Sequence, residues 1–267
     1  MTKFNKMLII GCGNMAGAML AGWLKVGFDP SRFVVFSRSM TSAPEGVELH
    51  NSPPEISDHD CVMLGFKPHH LAQFAPDYQH LAGSGVTIFS LLAGIELASL
   101  TSAFPKAGAH VRVMPNLAVR VNKSPIILAE TGLSGDAQRD AVKELFGALG
   151  EAHWLEGEAQ YNLATALAGS GPGFVYRFID ALAAAGEELG LDGAMARSLA
   201  LSMVDGAGDL AATSDAEPAT LADRVASKGG MTREGLNVLD EGDALKSLLT
   251  QTLKAAADRG DELAKLA

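Results

Sequence analysis

The chain has 267 residues, 48% of them apolar, and a formal net charge of −10. That length and apolar share are enough for a substantial core and for two domains, so disorder is excluded as the default state. The acidic balance would repel a phosphate backbone, and the scattered Lys and Arg form no basic stripe, so no nucleic-acid partner is expected.

In chain order, Met7 to Ile10 is a short apolar run that reads as a first buried strand. Gly11-Cys12-Gly13-Asn14-Met15-Ala16 follows directly and opens a helix from Asn14 to Val26. This segment fits G-x-G-x-x-G/A at the first strand-to-helix junction. Gly11 permits the tight turn, Gly13 lets the backbone reach a pyrophosphate, and the small Ala16 lets helix and strand pack closely. The free amides and the positive end of the helix dipole then suit phosphate. A dinucleotide is the cofactor expected.

The second strand, Phe33 to Phe36, ends in Ser37-Arg38-Ser39, where an NAD enzyme usually has an acidic residue for the ribose hydroxyls. An arginine flanked by hydroxyls suits a 2′-phosphate instead, so NADPH is expected over NADH. Further strands are read at Cys61 to Gly65, Thr87 to Ser90, His110 to Met114, Pro125 to Leu128 and Ala152 to Leu155. They alternate with helices at His69 to Tyr78, Glu96 to Ala103 and Asp136 to Leu149. Such alternation implies a parallel sheet covered on both faces, a doubly wound α/β Rossmann domain over residues 1–157.

After Gly157 the strand pattern stops. Ala, Leu, Met and Gly recur at helical spacing, interrupted at Gly169 to Pro172, Gly190 to Gly193, Asp215 to Pro218 and Lys228 to Gly230. Residues 158–267 therefore read as a five-helix, all-α domain for substrate binding and dimerisation. The stretches Phe174 to Leu189 and Ala196 to Leu210 offer more apolar surface than a lone segment of this size can cover, so a homodimer, or a higher homo-oligomer, is expected.

The N-terminal apolar run is too short for a signal peptide and no stretch of about eighteen uninterrupted apolar residues occurs, so a cytoplasmic protein without a membrane partner is expected. Cys12 and Cys61 read as small core thiols. The histidines lack ligand spacing, and adjacent His69 and His70 are expected to point apart, so no metal site is expected.

Several segments resemble, in order and over nearly the whole chain, the pyrroline-5-carboxylate reductase family. Gly65-Phe66-Lys67-Pro68 is similar to its A-V-K-P turn, and Val113-Met114-Pro115-Asn116 matches V-M-P-N. Ala93-Gly94 follows a strand end as in A-A-G-I, and Asn51 matches an asparagine at the adenosine side. The resemblance implies that these positions, including Asn116, line the cofactor. Ala166 to Phe174 is similar to A-L-S-G-S-G-P-A-Y/F, with Pro172 suited to a first helical turn. Val225-Ala226-Ser227-Lys228-Gly229-Gly230-Met231-Thr232 resembles V-x-S-P-G-G-T-T, with Lys228 in place of the proline and Met231 in place of the first threonine.

The resemblance implies reduction of L-1-pyrroline-5-carboxylate to L-proline. It places Val225, Gly229, Gly230, Met231 and Thr232 at the substrate, with Thr232 and Ser227 as the catalytic pair. Independently of any family, two glycines before a helix start make a concave set of backbone donors for a small carboxylate. Three alternatives share the architecture: a reductase of another cyclic imine, a non-catalytic NADP-binding sensor and a β-hydroxyacid dehydrogenase. The last would carry a lysine where this chain has Val175.

Overall fold

A computed structural model describes residues 4–54 and 58–266. Its core is an eight-stranded sheet of β1 (Met7–Ile10), β2 (Phe33–Phe36), β3 (Glu48–His50), β4 (Cys61–Leu64), β5 (Thr87–Ser90), β6 (Ala109–Met114), β7 (Ser124–Thr131) and β8 (Gly150–Trp154). The strand order is β3-β2-β1-β4-β5-β6-β7-β8. Every residue of β1, β2, β4 and β5 is buried, as a parallel sheet covered on both faces requires.

Alternate residues of each strand serve opposite faces. Met7, Ile9, Phe33, Val35, Cys61 and Met63 pack with α1 (Asn14–Lys25) and α4 (Asp136–Gly147). Leu8, Ile10, Val34, Phe36, Val62 and Leu64 pack with α2 (Leu71–Tyr78) and α3 (Leu97–Ala103). On the first face Trp23 is stacked on Phe33, and its indole N–H donates to the Leu145 carbonyl at 2.8 Å, tying α1 to α4. The doubly wound reading holds.

The sheet is not wholly parallel, because β7 runs antiparallel to β6. Between these strands the chain has only a short connection with a 3₁₀ turn, Leu117–Val121, closed by Asn122 at φ 56°. A parallel return needs a crossover of about a dozen residues or more. Asn122 holds the reversal by donating to the carbonyls of Gly22 and Ala148. Strand β3, at the sheet edge, had no counterpart in the sequence reading. His69 and His70 do not point apart either. The 3₁₀ turn Pro68–His70 brings their rings to 4.1 Å, and His70 stacks on Phe74.

The chain divides into two compact units, residues 1–170 with 256–267, and residues 171–255. Helix α5 (Tyr161–Ala168) lies in the first because Tyr161 is buried in the sheet core. The end of α10 (Ala244–Leu266) also belongs to the first, where Asn162 donates to Asp261 at 2.6 Å.

In the second unit, Pro172 sits in the first turn of α6 (Gly171–Glu188). Gly190, at φ 105°, reverses the chain, and Asp192 caps α7 (Gly193–Thr213) by accepting from the Met195 N–H. Helices α8 (Pro218–Val225) and α9 (Met231–Asp240) follow. The segment after Gly157 has six α-helices among the described residues, not five. Gly242 and Asp243 adopt positive φ and separate α9 from α10, so the acidic run around Gly242 marks a break that its lack of proline concealed.

Candidate active site

The chain leaves β1 towards β2 on one side and the strands from β4 onward build outwards on the other, so the order of winding reverses between β1 and β4. In open α/β sheets ligands bind beyond the carboxyl ends of the strands at such a reversal. The parallel register aligns Ile10 with Phe36 and Leu64, Phe36 with His50, Leu64 with Ser90, and Ser90 with Arg112. The candidate cofactor residues follow these aligned ends. Gly11 to Ala16 come after β1, Ser37 to Ser39 after β2, Asn51 after β3, Gly65 to Pro68 after β4, Ala93 and Gly94 after β5, and Asn116 after β6. One edge of the sheet carries them all.

At the centre the β1 and β4 exits press together. Gly11 has φ 84°, and a Cβ on it would lie 2.9 Å from the Phe66 nitrogen. A Cβ on Gly65 would lie 2.3 Å from the Gly11 oxygen and 2.9 Å from the Ala16 methyl. Glycine is required at both positions, and the small Ala16 is buried beside them. Gly13 is different. A Cβ there would meet only the Gly65 oxygen, at 3.9 Å, so its face is open. Gly13 is also the N-cap of α1, with no side-chain cap and no acidic residue in the first turn. The open amides suit a pyrophosphate, and the residues present fit a dinucleotide. Burial raises the Cys12 pKa, which disfavours the thiolate at this loop position.

Beyond β2, Ser37 is buried, with its N–H bonded to the His50 carbonyl, while Arg38 and Ser39 are exposed. The Arg38 guanidinium lies 5.0 Å over the Phe74 ring of α2. Asn51 donates both amide hydrogens to the loop, to the carbonyls of Ser37 at 2.7 Å and Met40 at 2.8 Å. It therefore shapes the Arg38 loop. Asn116 is similarly committed: Oδ1 accepts from the Ala118 N–H, Nδ2 donates to the Ala168 carbonyl, and its own N–H donates to Ser124 Oγ. Its side chain fixes the β6 exit. Lys67 is exposed ahead of the Pro68 turn. Gly94, at φ 78°, lies against the backbone of Leu263 and Ala264.

Arg120 was missed by the sequence reading. Its guanidinium reaches Asn14 Oδ1 at 3.3 Å, in the first turn of α1. At a sequence separation of 106, no local pattern could reveal the pairing.

In the second unit, Val225 ends α8 and the loop to α9 closes with the Gly230 N–H donating to the Ser227 carbonyl at 2.9 Å. Gly229 has φ 71°, and a Cβ on Gly230 would strike Ser227 Oγ, so both glycines are demanded by the turn. Gly230 is the N-cap of α9, again without a side-chain cap. Thr232 is the second residue of that helix, exposed like Ser227, so it does not serve as the cap. Met231 is 93% exposed. The segment brings Ser227, Gly229, Gly230, Met231 and Thr232 onto one loop and helix start.

A sheet edge shaped for a dinucleotide, followed in the chain by a helical segment that carries a glycine turn at a helix start, defines a dinucleotide-dependent oxidoreductase of the Rossmann type. Two family models match: "NADP oxidoreductase coenzyme F420-dependent" over residues 6–94 and "Pyrroline-5-carboxylate reductase dimerisation" over residues 158–263. Pyrroline-5-carboxylate reductase of Pseudomonas aeruginosa is 30% identical over 266 residues, covering 97% of each chain. Pyrroline-5-carboxylate reductase 3 of Danio rerio is 31% identical over 97% of this chain and 91% of its own. The solved structure of a pyrroline-5-carboxylate reductase from Coxiella burnetii superposes with a TM-score of 0.91 at 28% identity, covering 98% of this chain and 99% of that one. The chain belongs to the pyrroline-5-carboxylate reductase family.

Proposed function

We propose that this protein reduces the C=N bond of L-1-pyrroline-5-carboxylate to give L-proline, with NADPH as the reductant. The observation that carries the reading is the pairing, in one chain, of the open Gly11–Ala16 cradle with the Ser227–Thr232 loop. The matched family and the relatives' names support it. We assign cofactor binding to the first 157 residues, and substrate binding and homodimerisation to the rest. When bound, NADPH supplies a hydride to C5 of the ring.

The chain's own residues hold each partner. Gly13 and the first amides of α1 receive the pyrophosphate, and Arg38 with Ser39 receives the 2′-phosphate. Lys67, Pro68, Ala93 and Gly94 would line the rest of the cofactor. The Gly229–Gly230 backbone and the start of α9 hold the substrate carboxylate. As C5 gains a hydride, the ring nitrogen must carry a proton or an amide anion would develop. Thr232 orients that nitrogen through a hydrogen bond, since an alcohol is too weak an acid to be the main proton source. The proton is already on the iminium or comes from water. Ser227 holds the loop turn.

The test is cofactor oxidation. Purified protein should consume NADPH with pyrroline-5-carboxylate and form proline. Turnover with a six-membered cyclic imine in its place, or NADP reduction by β-hydroxyacids, would replace the proposal by one of those activities.

A further inference from the structure

Arg112, on β6, and Glu158, just before α5, form a pair the proposed chemistry does not use. Their side chains are 5% and 28% exposed, with Nη1 2.6 Å from Oε1. The guanidinium also lies 3.7 Å over the ring of buried Tyr161. A pair this deeply placed costs desolvation, so its partners' other bonds matter. Both carboxylate oxygens of Glu158 also accept from the Leu97 N–H, at 3.1 and 3.2 Å. Leu97 begins α3, whose own N-cap residue, Glu96, makes no side-chain cap. The anchor for that end comes from 61 residues away.

The segment held in this way is the β5 exit loop. At its near end the Leu91 N–H donates to the Leu64 carbonyl and the Leu92 N–H to Ser90 Oγ. At its far end Glu158 holds Leu97. Between these fixed points lie Ala93 and Gly94. We infer that Glu158, braced by Arg112, is a positioning residue that sets the Ala93–Gly94 backbone for the cofactor. Glu158 touches no reacting atom; it acts through the loop. The inference rests on the proposed cofactor placement.

Glu158→Gln keeps the shape and an acceptor oxygen but removes the charge from both bonds. It is expected to weaken NADPH binding, measured by fluorescence titration, by about tenfold, the scale of one charge-assisted bond. The KM for the imine should stay within about twofold. Should this variant fail to fold, the double variant Arg112→Met/Glu158→Met keeps the volume, leaves no buried charge and still removes the anchor, and is expected to show the same loss. Gly13→Val serves as the control for the placement itself. If Gly13→Val abolishes NADPH binding while the Glu158 variants only lower Tm, the positioning role is overturned and the cofactor site stands. If Gly13→Val binds NADPH normally, the placement is at fault.

Discussion

In the proposed cofactor placement, Arg38 is the residue expected to decide between NADPH and NADH. It stands exposed at the end of β2, where an acidic side chain would otherwise meet the ribose hydroxyls, and the Phe74 ring holds its guanidinium at 5.0 Å. A charge-assisted bond contributes about 1.5–3 kcal/mol. Arg38→Ala should therefore lower kcat/KM for NADPH by roughly 10- to 100-fold and leave that for NADH nearly unchanged. Equal losses with both cofactors would remove Arg38 from the 2′-phosphate. Thr232 makes a second test at the same scale. Because Gly230 is the N-cap of α9, Thr232→Ala removes no cap and should leave Tm unchanged. It should lower kcat on the order of 10², with Thr232→Ser recovering much of the loss. Steady-state rates with Tm at hand separate an orienting hydroxyl from a merely structural one.

At the scale of elements, the β1–α1 and β4 exits make one joint whose two glycine types separate experimentally. Gly65→Ala drives a methyl towards the Gly11 oxygen and the Ala16 methyl. It should lower Tm and NADPH affinity together, since overpacking typically costs about 1–3 kcal/mol. At Gly13 an added Cβ meets only the Gly65 oxygen, at 3.9 Å, so Gly13→Val should fold, with Tm lowered only by the weaker N-cap, and lose NADPH binding. Thermal melts and cofactor titration on the two variants check this. The joint was legible in the sequence because its motif is local: apolar strand, glycines, helix. The apolar strands β1, β2, β4 and β5 were legible for the same reason. Edge strand β3 was not, since Glu48-Leu49-His50 contains a single apolar residue and no run to recognise. The antiparallel turn of β7 was hidden because direction depends on connection length and on the Asn122 bonds, not on strand composition. Arg120 at α1 and Glu158 at α3 escaped because each acts on a segment distant in sequence.

For the molecule as a whole, the unequal cores of the two units argue for assembly. The first unit buries Trp23, Tyr78, Tyr161 and Phe89 among its large side chains. In the second, the buried apolar residues are all alanines: Ala183, Ala196, Ala200 and Ala226. Its larger apolar side chains are half-buried or exposed, with Leu189 88% exposed and Leu182, Leu199 and Met203 lining a groove of about 350 Å³ along α6 and α7. A contiguous apolar surface of this kind marks an interface, and the matched dimerisation domain spans it. We expect an obligate homodimer, whose stability depends on protein concentration. Leu199→Glu/Met203→Glu should place two carboxylates on that surface, shift the mass measured by light scattering from dimer to monomer, and lower Tm. Within one chain α8 and α9, which flank Ser227–Thr232, bury none of their residues, so activity should fall with the dimer fraction. NADPH binding, which belongs to the first unit and its own core, should survive. A monomeric double variant with full reductase activity would show that the helical unit holds its loop unaided and would refute the dimer requirement.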